Sequence, residues 1–256
     1  MLATEHLDLL IVATPPHYHE ANCMAAIDAK VRGILCEKPF TGTAAGAERI
    51  ARAARGRDVP VVVNFSRRWD ASHRALASKI QRAELGDPRY AAGCYTGTLR
   101  GNGSHLLDTL RMLWPDEWRV DWATPLPGGD ADDGPIAAEL VSSSGARAAL
   151  FPIVNADYFV FELQLFASGG RTRITAQGND IRLDGPAPHP DYPGYRYLSE
   201  TEALPQDTLP DSFAHALAAL SAAVRTGQPL VTTPEQIVGS LDLLEAIVNV
   251  ARKGRS

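Results

Sequence analysis

Short, unbroken apolar runs alternate with segments of helical period over the first quarter of the chain. Leu7 to Ala13 reads LDLLIVA and is stopped by Thr14-Pro15-Pro16. A run of this kind predicts a strand buried on both faces. Residues 19–30 have helical composition, with Ala21, Met24, Ala25 and Ile27 at helical spacing. Residues 33–36 (GILC) predict a second buried strand, which ends at Glu37-Lys38-Pro39. An Ala-rich helix is predicted over 43–55, with Glu48 and Arg52 one turn apart. Val59 to Asn64 (VPVVVN) predicts a third buried strand. Strands alternating with helices in this way make a parallel α/β unit with right-handed crossovers.

The pattern changes after Ser66. Residues 72–83 predict an amphipathic helix closed by Gly86-Asp87-Pro88, and Arg89 to Gly97 a strand. Ser104 to Leu113 predicts a helix with Leu106, Leu107, Leu110 and Leu113 on one face. Strands are expected over 119–123, 137–142, 146–154, 159–167, 171–176 and 180–183. Separators such as Ser144-Gly145 and Gly169-Gly170 favour antiparallel hairpins. Residues 124–135 and 184–210, rich in Pro, Gly and Asp, are expected to be loops. Two helices close the chain, Ser212–Thr226 and Thr233–Arg252, the second with Thr233 as N-cap and Pro234 at its first position.

A nucleotide-binding parallel sheet normally opens with a strand and a G-x-G-x-x-G turn. Here the sheet opens on a strand ending in Thr-Pro-Pro. Gly101-Asn102-Gly103 has Leu106 at its third glycine position and follows no βα start, so it is not a phosphate turn. The sheet is therefore expected to lack its first βα units.

Composition narrows the function classes. The 256 residues suffice for one large or two ordinary domains, and 45% are hydrophobic. A net charge of −5, mixed along the chain, disfavours nucleic acid and anionic membranes as partners. No apolar run approaches the ~20 residues of a membrane span. The N-terminus has no basic n-region. Cys23, Cys36 and Cys94 are widely spaced, which fits a reducing compartment and a cytoplasmic location.

Chemistry concentrates at two strand ends and one helix start. Thr14-Pro15-Pro16 and Glu37-Lys38-Pro39 lie at carboxyl ends of parallel strands, where open α/β sheets bind ligands. Lys38 supplies a cation able to orient a substrate hydroxyl, Glu37 an acceptor for a ribose hydroxyl, and Pro39 a cis or sharply turned peptide. His105, placed near a helix N-terminus, is the general acid/base candidate, because imidazole titrates near neutrality. His17, His19, His73, His189 and His215 join no carboxylate cluster at ligand spacing, so no metal site is expected. No Gly-x-Ser-x-Gly elbow is present.

These stretches together resemble the Gfo/Idh/MocA oxidoreductases. Residues 8–40, with TPxxxH ahead of EKP, resemble that family's fourth and fifth Rossmann strands. Residues 61–70 (VVVNFSRRWD) resemble its strand into the second domain, and 101–113 (GNGSHLLDTLRML) its catalytic helix. The resemblance implies an α/β fold: an incomplete Rossmann parallel sheet over 1–68, then a mixed, largely antiparallel open-faced sheet with helices over 69–256. It implies NAD or NADP as cofactor, bound by Thr14, Pro15, His19, Glu37, Lys38, Pro39 and Arg68, and Lys38 and His105 as catalytic residues. Many relatives carry Asp four residues before the histidine, where this chain has Gly101, so Asn102 and Ser104 are expected to hold substrate with Lys38 and His105. The implied reaction is hydride transfer at a secondary alcohol of a sugar or polyol, in a homodimer or tetramer joined through the C-terminal sheet. Without a Gly-rich turn, dinucleotide binding is expected to be weak. The rival reading is a non-catalytic binding or regulatory protein that kept the fold.

Overall fold

The computed structural model describes residues 2, 4–127, 134–154, 157–206 and 208–254. The chain divides into two compact units, residues 1–70 with 210–245 and residues 71–209 with 246–256. The first unit thus includes residues 210–245, which sequence reading assigned to the second domain.

In the first unit, β1 (Leu9–Val12), β2 (Gly33–Cys36) and β3 (Val61–Val63) form a parallel sheet in that order. Helices α1 (His19–Asp28) and α2 (Ala44–Gly56) make the crossovers. A short α3 (Ser66–Trp69) follows β3, and α6 (Ser212–Thr226) and the start of α7 (Pro234–Lys253) complete the unit.

Apolar runs form these strands because both sheet faces are covered. Ile34 and Cys36 of β2 and Val61 and Val63 of β3 face a core with Cys23 and Ile27 of α1, Ile50 of α2 and Ile237 of α7. Leu35 and Val62, pointing the other way, pack with Trp69, Ala216 and Leu220. Gly33 is needed for that second layer, since a Cβ there would lie 2.7 Å from Val224 Cγ2 on α6. Among the described residues β1 pairs only with β2, and its Ile11 is 45% exposed.

In the second unit, α4 (Ala71–Gln81) and α5 (Ser104–Leu113) accompany eight strands, β4 (Pro88–Thr96), β5 (Trp118–Pro125), β6 (Ile136–Ser142), β7 (Arg147–Ile153), β8 (Phe161–Ala167), β9 (Gly170–Thr175), β10 (Asp180–Pro188) and β11 (Arg196–Ala203). Their order is β11-β10-β9-β8-β4-β7-β6-β5, and every pair is antiparallel except β4 with β7. One face is apolar and buried. Gly93 of β4 admits α5 there, since a Cβ would meet Leu106 Cδ2 at 2.6 Å. The other face carries Tyr90, Phe151 and Trp122, which are 38%, 50% and 41% exposed.

Two loop expectations are corrected. Residues 184–203 are mostly the β10–β11 hairpin, with Pro186 paired to Leu198 and Pro188 to Arg196. Proline is tolerated because β9 pairs with β10 only as far as Asp184, so the part of β10 that holds both prolines has an open side on which no N–H is needed. Of the expected loop at 124–135, Thr124 and Pro125 belong to β5, and 128–133 lie outside the described residues.

The β9–β10 pair carries an enclosed charge. Asp184 is 2% exposed and accepts from Arg171 Nε at 2.7 Å and from Arg173 Nε at 2.9 Å. The Arg173 hydrogen bonds hold the Asp184 carboxyl below its ordinary range, against the opposing effect of burial and with help from Arg171. A carboxyl lowered by folding contributes stability above its ordinary range and loses it as pH falls through the folded value. Asp184→Ala should therefore lower urea stability at pH 7 by about 3 kcal/mol. The deficit should shrink as the titration is repeated at progressively more acid pH. A deficit independent of pH would rule out the ion pairs as its source.

Candidate functional site

Three strand ends share one edge of the parallel sheet. Glu37 N donates to Val12 O at 2.9 Å, and Asn64 N donates to Cys36 O at 2.8 Å. The residues just beyond β1, β2 and β3 are therefore stepped side by side at the carboxyl edge, where this class of sheet binds ligands.

The Thr14 turn is held from α1. Asn22 Nδ2 donates to Thr14 Oγ1 at 3.0 Å, and Tyr18 N donates to Pro15 O at 2.9 Å. Thr14 and Pro15 are themselves exposed. His19 is buried, and its ring nitrogens lie 2.7 Å from Thr14 O and 2.8 Å from Pro39 O. The resemblance made His19 a cofactor contact; here its ring nitrogens are occupied by the backbones of the two turns.

In the second turn the Lys38–Pro39 peptide is cis. Glu37, half-buried, accepts from Asn64 Nδ2 at 2.8 Å through Oε1 and from Lys38 N at 3.3 Å through Oε2. Asn64 is a residue that sequence reading passed over. Its signal was positional: it ends the third apolar run as Glu37 follows the second. The carboxylate fixes the amide, because a flipped Asn64 would set its oxygen against Glu37. Oδ1 is then buried with no hydrogen-bond donor among the described residues.

Lys38 is half-buried, and this desolvation pushes its amine below the ordinary lysine value. Glu37 opposes the shift and Arg67 reinforces it. Arg67, on α3, is 6% exposed, whereas the expected cofactor residue Arg68 is half-buried. Of the two adjacent arginines, Arg67 is the one whose charge acts on Lys38.

The second unit carries Asn102, Ser104 and His105. Asn102 Nδ2 donates to Thr96 O at 2.6 Å, and Ser104 Oγ donates to Gly101 O at 2.8 Å. Both side chains thus brace their own segment. His105 is half-buried, and its backbone carbonyl accepts from Thr109 Oγ1 at 2.7 Å. It is the second residue of α5, near a helix start as expected. A π-helical turn over Leu99–Gly103 runs directly into α5, and Thr98 caps it, accepting from Gly101 N at 3.0 Å. The free N–H groups of the helical run therefore precede His105. Such turns recur at functional sites, but proline- and glycine-based cues give no sign of this one.

A cavity of about 810 Å³ lies elsewhere in the first unit, lined by Lys30, Arg32, Arg55, Arg57 and Glu235 among others. It sits at the amino ends of β2 and β3. Its cations follow the C-termini of α1 and α2, whose partial negative charge they answer. Arg55 and Arg57 are also paired, with Glu235 at 2.9 Å and Asp28 at 2.5 Å. It is not the candidate site.

Residues 1–65 match the model of an oxidoreductase family with an NAD-binding Rossmann fold. Inositol 2-dehydrogenase 1 of Mycolicibacterium vanbaalenii is 27% identical over 203 residues, 72% of this chain and 59% of that protein. A scyllo-inositol 2-dehydrogenase (NADP(+)) of Bacillus subtilis is 33% identical over 42% of this chain and 35% of its own length. The chain spans 59%, 38% and 35% of the first three curated relatives it matches. In fold it is similar to aldose-aldose oxidoreductase from Caulobacter crescentus, with a TM-score of 0.81 at 20% identity over 99% of this chain and 80% of that one. A 3-ketoreductase from Actinomadura kijaniata, solved with TDP-benzene and NADP, gives 0.78 at 21% over 97% and 79%.

A lysine whose folded value is lowered takes stability from the protein wherever it is protonated. The cost is absent above the ordinary lysine range and sets in as pH falls through that range to the folded value. Lys38→Met should therefore raise the thermal midpoint at pH 7 by a few degrees. The gain should fade as scans approach the pH at which an ordinary lysine is neutral. A lowered midpoint at pH 7 would mean that Lys38 stabilises the unit as a cation.

Proposed function

We propose that this chain, which belongs through its residues 1–65 to the Gfo/Idh/MocA oxidoreductase family, is an NAD(P)-dependent oxidoreductase acting at a secondary alcohol of a sugar or polyol. The observation that carries the reading is the shared strand edge, where Thr14, Glu37, Lys38 and Asn64 stand beside one another on an NAD-binding type of sheet.

Asn64 tests the fit of a nicotinamide group. Its Oδ1 is a buried acceptor with no donor among the described residues, oriented by Glu37. A buried acceptor left without a donor costs roughly 1–3 kcal/mol. A carboxamide N–H or a ribose hydroxyl supplies what it lacks. Thr14, Pro15, Glu37, Lys38 and Asn64 would hold the nicotinamide half. Pro39 and His19 set the backbone beneath it, and Arg68 is carried over from the resemblance alone. No Gly-x-Gly-x-x-Gly turn follows β1 or β2 for the phosphates.

A nicotinamide held there would supply the hydride acceptor or donor. His105 takes the hydroxyl proton of the substrate, the work imidazole does near neutral pH. Lys38 stabilises the charge that develops on the substrate oxygen, and its lowered affinity for its proton also lets it relay one. Asn102 and Ser104 keep the backbone before His105 in place while orienting substrate hydroxyls. The curated relatives named for inositol support a cyclic polyol as the first substrate to test.

The exposed Tyr90, Phe151 and Trp122 on one face of the eight-stranded sheet support self-association through that face. The widely spaced Cys23, Cys36 and Cys94 support a reducing, cytoplasmic setting.

The test is a fluorescence titration with NADH and NADPH, followed by assays with NAD(P) and myo-inositol or scyllo-inositol. Saturable binding and turnover are expected. Lys38→Ala and His105→Ala should each lower turnover about 100-fold. Binding without turnover on any polyol or sugar would favour the non-catalytic reading, and unaltered rates in both variants would remove them from the mechanism.

A further inference from the structure

His19 faces a backbone carbonyl at each ring nitrogen, with Nδ1 2.8 Å from Pro39 O and Nε2 2.7 Å from Thr14 O. The residue is 1% exposed, so water does not replace either partner. A carbonyl oxygen only accepts hydrogen bonds. A neutral imidazole has one N–H and one lone pair. Between two carbonyls, the neutral ring makes one bond and sets its lone pair against the other oxygen at hydrogen-bonding distance. The ring with a proton on both nitrogens makes both bonds, each strengthened by its charge.

The two carbonyls belong to the two turns of the candidate site. Thr14 follows β1, and Pro39 follows Lys38 at the end of β2. We propose that His19 is a positioning residue, a doubly protonated ring that straps the Thr14-Pro15-Pro16 turn to the Glu37-Lys38-Pro39 turn and so fixes the backbone from which Lys38 projects. The proposal deepens the reading of this site as the nicotinamide edge, but the strap belongs to the first unit whether or not the chain turns over.

The surrounding charges are accounted for. Next to His19 on α1, Glu20 is held by Arg49 of α2 at 2.7 Å. In the strapped turn, Glu37 is engaged by Asn64 and the Lys38 N–H, and Lys38 bears its cation at a cost. On the short helix ahead of α1, His17 stacks on Tyr18 with ring centroids 4.0 Å apart. Glu37 is thus the carboxylate of the strapped turn itself, and it is only half-buried.

Two measurements test the strap, and neither uses cofactor or substrate. In protein labelled with ¹⁵N-histidine at pH 7, one of the seven histidines should show both ring nitrogens as N–H, and that signal should vanish in His19→Gln. A His19 ring with one nitrogen bearing a lone pair would overturn the doubly protonated strap. The second measurement follows acylation of Lys38 by acetic anhydride against pH, read by mass spectrometry. In folded His19→Leu the midpoint of the profile should rise by roughly half a pH unit or more, about a threefold loss of reactive amine at fixed pH. His19→Gln, which retains two amide N–H donors, should recover part of the shift. An unchanged profile in folded His19→Leu would remove the positioning role.

Discussion

Parallel pairing of β2 between β1 and β3 is the constraint on which the first unit depends. The ladder sets Cys36 beside Val12 and Val63. It then continues one residue past the strands, through Glu37 N to Val12 O and Asn64 N to Cys36 O. Parallel strands all end at the same edge, so three turns from distant parts of the sequence become neighbours. A polar residue at each end then meets the others without any local sequence relation between them.

The edge is held by side-chain hydrogen bonds, to a hydroxyl and a carboxylate as well as to two backbone carbonyls. Asn22 holds Thr14, Asn64 holds Glu37, and His19 spans Thr14 and Pro39. Such supports leave the exposed parts of Thr14 and Pro15 available while the turns stay fixed. Lys38 is the exception, because its amine is partly withdrawn from water and its charge is disfavoured. A lysine kept in that state departs from stability in a direction that chemistry uses. The second unit follows a similar plan around His105. Gly93 lets α5 settle on the sheet, and Asn102, Ser104 and Thr98 fasten the turn ahead of it.

Apolar runs placed the three parallel strands and helical spacing the two crossover helices; β2 and β3 are buried on both faces, while β1 is as apolar but partly exposed. Strands β5 to β9 were also legible from alternation and Gly-bearing turns. The β10–β11 hairpin was not. Its strands carry Pro186, Pro188 and polar residues, which mark a loop by composition, and only pairing along an edge makes them a ladder. The π-helical turn over Leu99–Gly103 escaped for a related reason. Two glycines signal a break, yet Gly103 keeps right-handed helical angles, and a Cβ there would lie 3.0 Å from Leu99 Cδ1 and 3.1 Å from Tyr95.

By itself the sequence determined where the candidate residues stand, since Thr14-Pro15 and Glu37-Lys38-Pro39 follow strand ends and His105 lies at a helix start. It also determined the α/β class, because hydrophobic period reports which faces are buried. Tertiary structure alone decided which of these side chains face outward and which are spent on the backbone. His19 and Asn64 exchanged importance for that reason. A motif records residue type and spacing, whereas the partner of a ring nitrogen or an amide nitrogen is set by a strand end that lies up to 27 residues away in sequence. The same distance effect separates Arg67 from Arg68. Adjacent residues on a short helix point in different directions, and the tertiary structure buries Arg67, whose charge reaches Lys38.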